Sequence, residues 1–141
     1  MKIALTGHRP PRLKGKEKEI NEWISNQLSK QEFEEAYCGM ATGADQIFGS
    51  QVLKHNIPLI CCYPFKKEHY HPKELELINQ AKDVRYIKQS YFKQAYWFRD
   101  KYMVDNCEVL LAVWDGICKG GTWLTIKYAR EIGKPIIYFN V

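Results

Sequence analysis

The sequence predicts an α/β protein: a three-layer Rossmann-like fold, with a mostly parallel six-stranded sheet held between helices. Three observations carry this. Short apolar runs alternate with amphipathic stretches along the 141 residues. The connections between them are short, so each strand is followed by a helix that crosses back over the sheet. One run, "IPLICCYPF" (57–65), is apolar nearly throughout, as a strand covered on both faces must be.

Taken in order, "KIALTG" (2–7) ends in glycine and reads as the first strand. A basic loop follows, "HRPPRLKGKEK", and then Ile20, Trp23, Ile24 and Leu28 recur at helical spacing. "FEEAYCG" (33–39) is the second strand. Residues 43–56 form a helix with Ile47, Phe48, Val52 and Leu53 on one side. After the third strand at 57–65, the stretch 71–83 is a helix with Pro72 in its first turn. "VRYIKQ" (84–89) is the fourth strand and 91–107 a long aromatic helix. "EVLLAVWDG" (108–116), 120–133 and "KPIIYFN" (134–140) supply the fifth strand, the closing helix and the sixth strand. No linker, repeat or low-complexity tract interrupts the series, so one domain is expected over 1–141.

Composition narrows the classes. With 45% apolar residues, the chain can build a core. No stretch approaches the roughly 18 apolar residues of a membrane span. The start does not read as a signal peptide, so a cytoplasmic location without membrane association is expected. Five cysteines, at 38, 61, 62, 107 and 118, lack a disulfide or zinc spacing and read as buried thiols. No metal or cofactor is expected. The net charge is +5, and residues 1–30 hold seven Lys or Arg against three Glu. That bias suits a phosphate-bearing small molecule, a nucleic acid or plain solubility.

Open α/β sheets bind ligands beyond the carboxyl ends of their strands. Three polar, glycine-containing loops lie there. In "WDGICKGGT", Gly120 and Gly121 expose backbone N–H groups at a helix start, where the peptide dipoles favour an anion. Thr122 offers a hydroxyl or a helix cap, and Lys119 a charge. Asp115 would accept bonds from ribose hydroxyls or an amine, or cap local backbone beside Gly116; Trp114 would stack on a base or belong to the core. In "TGHRP", Gly7 permits a tight turn, Thr6 can bond backbone or ligand, Arg9 is a forked donor for phosphate, and His8 is a candidate base or donor. In "GMATGAD", Gly39 and Gly43 flank small residues, with Asp45 near a helix start. Arg99 in the aromatic helix could also reach a phosphate.

Together "TGHRP", "GMATGAD", "RDKYMVDNCEVLLAVWDG" and "KGGTWLTIKYA" resemble the small SLOG proteins of Gram-positive bacteria and their phages. That superfamily joins DprA to the "lonely guy" cytokinin-activating phosphoribohydrolases. The resemblance implies ligand contacts from Gly7, Arg9 and the 39–45 segment, and a phosphate on Gly120, Gly121 and Thr122. It also exposes departures. Thr125 stands where the hydrolases carry a catalytic glutamate, and Asp100 follows Arg99 where Asn is usual.

The reading that results is binding of a nucleotide or nucleotide-derived ligand, sensed or sequestered without turnover. One alternative is N-glycoside hydrolysis with a substitute carboxylate, Asp115 or Asp45. Another is single-stranded DNA binding by the basic loop and exposed tyrosines. The aromatic load of 91–107 exceeds the needs of one buried face, which points to a homo-oligomer unless the rings pack the core.

Overall fold

The computed structural model describes Met1–Val141. Six strands, β1 (Lys2–Gly7), β2 (Glu35–Cys38), β3 (Leu59–Tyr63), β4 (Asp83–Tyr86), β5 (Val109–Trp114) and β6 (Ile136–Asn140), form one sheet in the order β4-β3-β2-β1-β5-β6. Every pairing is parallel. Helices α1 (Glu17–Leu28), α2 (Ala44–Lys54), α3 (Pro72–Gln80), α4 (Ala95–Asn106) and α5 (Gly120–Glu131) make the crossovers. No helix is long and apolar enough to cross a membrane.

Side-chain alternation along the strands divides the core in two. Ile3, Leu5, Leu59, Cys61 and Leu111 point to one face, where Ile20, Ile24, Phe48, Val52 and Leu77 from α1–α3 cover them. Ala4, Tyr37, Ile60, Cys62 and Leu110 point to the other and meet Met103, Val104 and Ala129 of α4 and α5. The central strands are thus covered on both faces, which is why their sequences lack an amphipathic pattern.

The elements differ from the sequence expectation mainly at their ends. The helix expected from 91 begins at Ala95, because Tyr91 packs edge-on against Phe65 instead of continuing along the sheet. The basic loop contains an unforeseen 3₁₀ turn, Pro10–Leu13, where two prolines fix the backbone and Leu13 inserts fully into the core. Four cysteines are buried as expected; Cys118 is exposed.

The strand order positions the site. From β1 the chain steps outward through β2, β3 and β4, then returns across α4 to place β5 on the other side of β1. The loops leaving β1 and β5 therefore diverge to opposite faces, and the gap between them is where such sheets admit a ligand.

Candidate functional site

A cleft of about 290 Å³ opens at that gap. Of the residues expected from sequence, Thr6, Gly7, His8, Arg9, Gly39, Asp45, Arg99, Gly121 and Thr122 line it. Gly43, Trp114, Asp115, Gly116, Lys119 and Gly120 do not, although several shape it. Three loops separated by up to about a hundred residues are thus brought together, joined by α4.

Backbone geometry accounts for the loop packing. Gly43 has φ +93°, and a Cβ there would lie 2.7 Å from the His8 carbonyl oxygen. Its absence lets the β2 loop lie directly on the β1 loop, where Ala44 N–H donates to His8 O at 3.2 Å. Gly39 serves differently: a Cβ would meet Asp45 Oδ2 at 2.8 Å and Arg99 Nη1 at 3.2 Å. The missing side chain is what allows a carboxylate and a guanidinium to share the floor.

Asp115 pins the β1 and β5 loops together. Arg12 reaches it through Nε and Nη2, each at 2.8 Å, in the forked geometry that guanidinium and carboxylate share. Ile117 N–H adds a third bond. Arg12 holds the Asp115 carboxyl well below the usual carboxylate range, although its side chain is only 2% exposed. His8 Nε2 lies 3.1 Å from Asp115 Oδ1 and 3.2 Å from Asp115 N. Burial, reinforced by Arg12, pushes the imidazole below its ordinary value, so near neutrality Nε2 accepts from the Asp115 amide. Asp115 and His8 are therefore occupied in joining loops. Arg12 Nη1 also donates to Lys119 O, against Gly120.

Arg99 is buried in the floor. Its Nε bonds Asp100 Oδ1 at 2.7 Å, and Nη1 bonds the carbonyls of Gly39 and Cys62 at 2.6 and 3.3 Å. Only Nη2 is left to face a ligand. Burial pushes Asp45 up to about 6, with Asp100 adding repulsion and Arg99 opposing both. Burial also raises Asp100, against the pull of Arg99 and of the neighbouring Thr125 hydroxyl. Sequence reasoning treated Asp100 only as a departure from a motif and passed over Arg12 as one of several loop cations. The signal for Asp100 was that departure itself; Arg12 needed the β1–β5 pairing to be known.

The opposite wall is the start of α5. Its first residue is Gly120, and no side chain caps it. The leading N–H groups of the helix, with Gly121 exposed and Thr122 on the cleft wall, have no partner within the helix and form an anion-favouring edge. Trp114 faces away. It stacks on Trp123 at 5.5 Å with Arg130 over both rings, and its indole N–H donates to Ile117 O beside the Gly116 turn. A second hollow of about 170 Å³ shares Arg9, Arg99 and Tyr96 with the cleft and adds the aromatic walls of Tyr63 and Phe65.

The arrangement is that of a Rossmann-like protein with a cleft at the switch point of its sheet. No family model matches the chain, and no curated protein matches it in sequence. Solved structures do. DNA processing protein A (DprA) from Helicobacter pylori, described by its single-stranded DNA binding mode, superposes with TM-score 0.74 at 18% identity, covering 98% of this chain and 64% of that one. DprA from Streptococcus pneumoniae gives 0.68 at 19%, covering 97% and 49%. The molybdenum cofactor carrier protein of Chlamydomonas reinhardtii gives 0.68 at 12%, covering 97% and 74%. The chain thus spans about half the length of the pneumococcal DprA. These likenesses establish the fold, which this chain shares with DprA and the carrier protein.

Proposed function

We propose that the cleft binds a nucleotide or nucleotide-derived molecule through its phosphate, sensing or sequestering it without turnover. The carrying observation is the convergence of the "TGHR", "GMATGAD" and "KGGT" loops on one cleft whose wall is the uncapped start of α5. The phosphate sits on the Gly121–Thr122 amides with Arg9, whose guanidinium has no partner in the protein, closing over it. The base extends toward the hollow walled by Tyr63, Phe65 and Tyr96. Binding without turnover is supported by Thr125, which occupies the place of the glutamate in the resembled hydrolases and spends its hydroxyl on Gly121 O at 2.8 Å.

The test is denaturing extraction of the purified protein followed by mass spectrometry, beside a Gly121→Leu control. A Cβ at Gly121 meets nothing nearer than Asp100 Oδ2 at 4.0 Å, so the leucine fills the cleft without displacing backbone. A nucleotide recovered from the wild type and lost from the variant is expected. Equal recovery from both overturns the loop assignment.

The buried carboxylates favour a second reading, N-glycoside hydrolysis. Asp115 is committed to Arg12 and lies outside the cleft lining, so the substitute carboxylate would be Asp45 or Asp100. Release of free base by the wild type, abolished in Asp45→Asn or Asp100→Asn, would replace binding with catalysis.

A further inference from the structure

The two edges of the sheet are built differently. β4 is short and carries Asp83 and Arg85, paired at 3.0 Å, the kind of charged edge that resists further strand pairing. β6, at the other end of the strand order, reads IIYFN, with neither a charge nor a proline. Leu110 N–H donates to Pro135 O and Val141 N–H to Trp114 O, each at 3.0 Å. These bonds fix the alternation of the ladder: Pro135, Ile137, Phe139 and Val141 turn their backbone polar groups to β5. Ile136, Tyr138 and Asn140 turn theirs outward, where the sheet ends.

The surfaces flanking this outward row are apolar. On the α5 side, Trp114 and Trp123 stack beside Tyr138, all three half-buried. On the α1 side, Ile137 is 38% exposed and lines an apolar hollow of about 200 Å³ with Ile3, Phe33, Val109 and Pro135. Phe139 and Val141 follow on the same side, also half-buried. A hollow thus lies beside one end of β6 and apolar side chains beside the other.

We propose that β6 is the docking edge for a second copy of this chain, the two β6 strands pairing antiparallel about a twofold axis through Tyr138. In that register Tyr138 meets its own counterpart and Ile136 meets the second copy's Asn140. Every outward N–H and C=O of the row then finds a partner. The same axis sets the second copy's Phe139 and Val141 beside Ile137 and Pro135, across the hollow. A second copy is the occupant because the chain's own surface meets both demands: an uncharged row symmetric about its centre, and apolar side chains placed opposite a hollow. The charged β4 edge keeps the sheet from growing further, so pairing closes at two copies.

Sedimentation velocity from about 1 to 100 µM tests this by mass action. The wild type should move from 16.6 kDa toward twice that mass. Ile137→Lys supplies the charge that natural edge strands use against pairing, and Asn140→Pro removes an outward donor without touching the bonds to β5. Each should weaken association by at least about tenfold. Leu75→Lys, on α3 and 45% exposed, should leave association unchanged. Circular dichroism confirms that the variants are folded. A wild type that stays at 16.6 kDa overturns self-pairing, whether the edge takes a strand of another protein or none. Association that both folded edge variants leave intact, or that Leu75→Lys weakens as much, overturns it too. Amide hydrogen exchange reads the same contact in the unsubstituted chain. Ile136, Tyr138 and Asn140 should exchange several-fold more slowly at the higher concentration, while Ile137 and Phe139, bonded to β5, stay unchanged; equal rates at both concentrations for the outward amides contradict the pairing.

Discussion

Single residues in the floor set a measurable pH dependence. Asp45 moves from an ordinary 3.8 to about 6 on burial. Its folded form holds a proton that the unfolded chain has already lost, so its contribution is most favourable below pH 4 and declines as pH rises through 6. Ionised at pH 7.5, it opposes folding by about 3 kcal/mol. Asp45→Asn should remove that decline: thermal unfolding between pH 4 and 7.5 should fall less with pH in the variant. Parallel pH profiles would show that Asp45 is not the titrating group.

At the scale of elements, loop contacts hold the cleft open. Gly43 and Gly121 make a contrasting pair. Gly43→Ala places a methyl against the His8 carbonyl at a backbone angle that L-residues avoid, and should cost about 1–3 kcal/mol. Gly121→Leu meets no such obstacle and should leave stability nearly unchanged while removing the ligand. Urea unfolding of the two variants checks this; an undisturbed Gly43→Ala would mean that the β1 and β2 loops are not packed as described. Helix α4 contributes Arg99, Asp100 and one ring, Tyr96, to the cleft. Trp97 packs edge-on against Tyr128, and Tyr102 against Tyr37, so much of its aromatic load is spent within the fold.

For the whole molecule, strand order decides what the sequence could and could not reveal. The βα alternation and all six strands were legible because apolar runs and short connections constrain a doubly covered sheet so strongly. Three glycine loops at strand ends were legible for the same reason. What lay outside reach was pairing across the switch: that Arg12 would meet Asp115 across about a hundred residues depends on β1 lying beside β5. Trp114 illustrates the other difficulty. A tryptophan at a strand end can face either side of the sheet, and only the register places it with Trp123 and Arg130. Lys88 lies over the rings of Phe92 and Phe98 near the exposed Tyr91 and Tyr96, a surface that could stack bases. If that surface is used, oligonucleotide affinity should fall steeply as salt rises from 50 to 200 mM; affinity without a salt slope would set it aside.

The most direct measurement is an amide NMR titration of the isotope-labelled protein with the nucleotide that binds best. The largest shifts should fall on Gly121 and Thr122, with smaller ones at Arg9 and Ala41, and should vanish in Gly121→Leu. Shifts confined to residues 88–98, leaving the start of α5 untouched, would contradict a phosphate site at the helix.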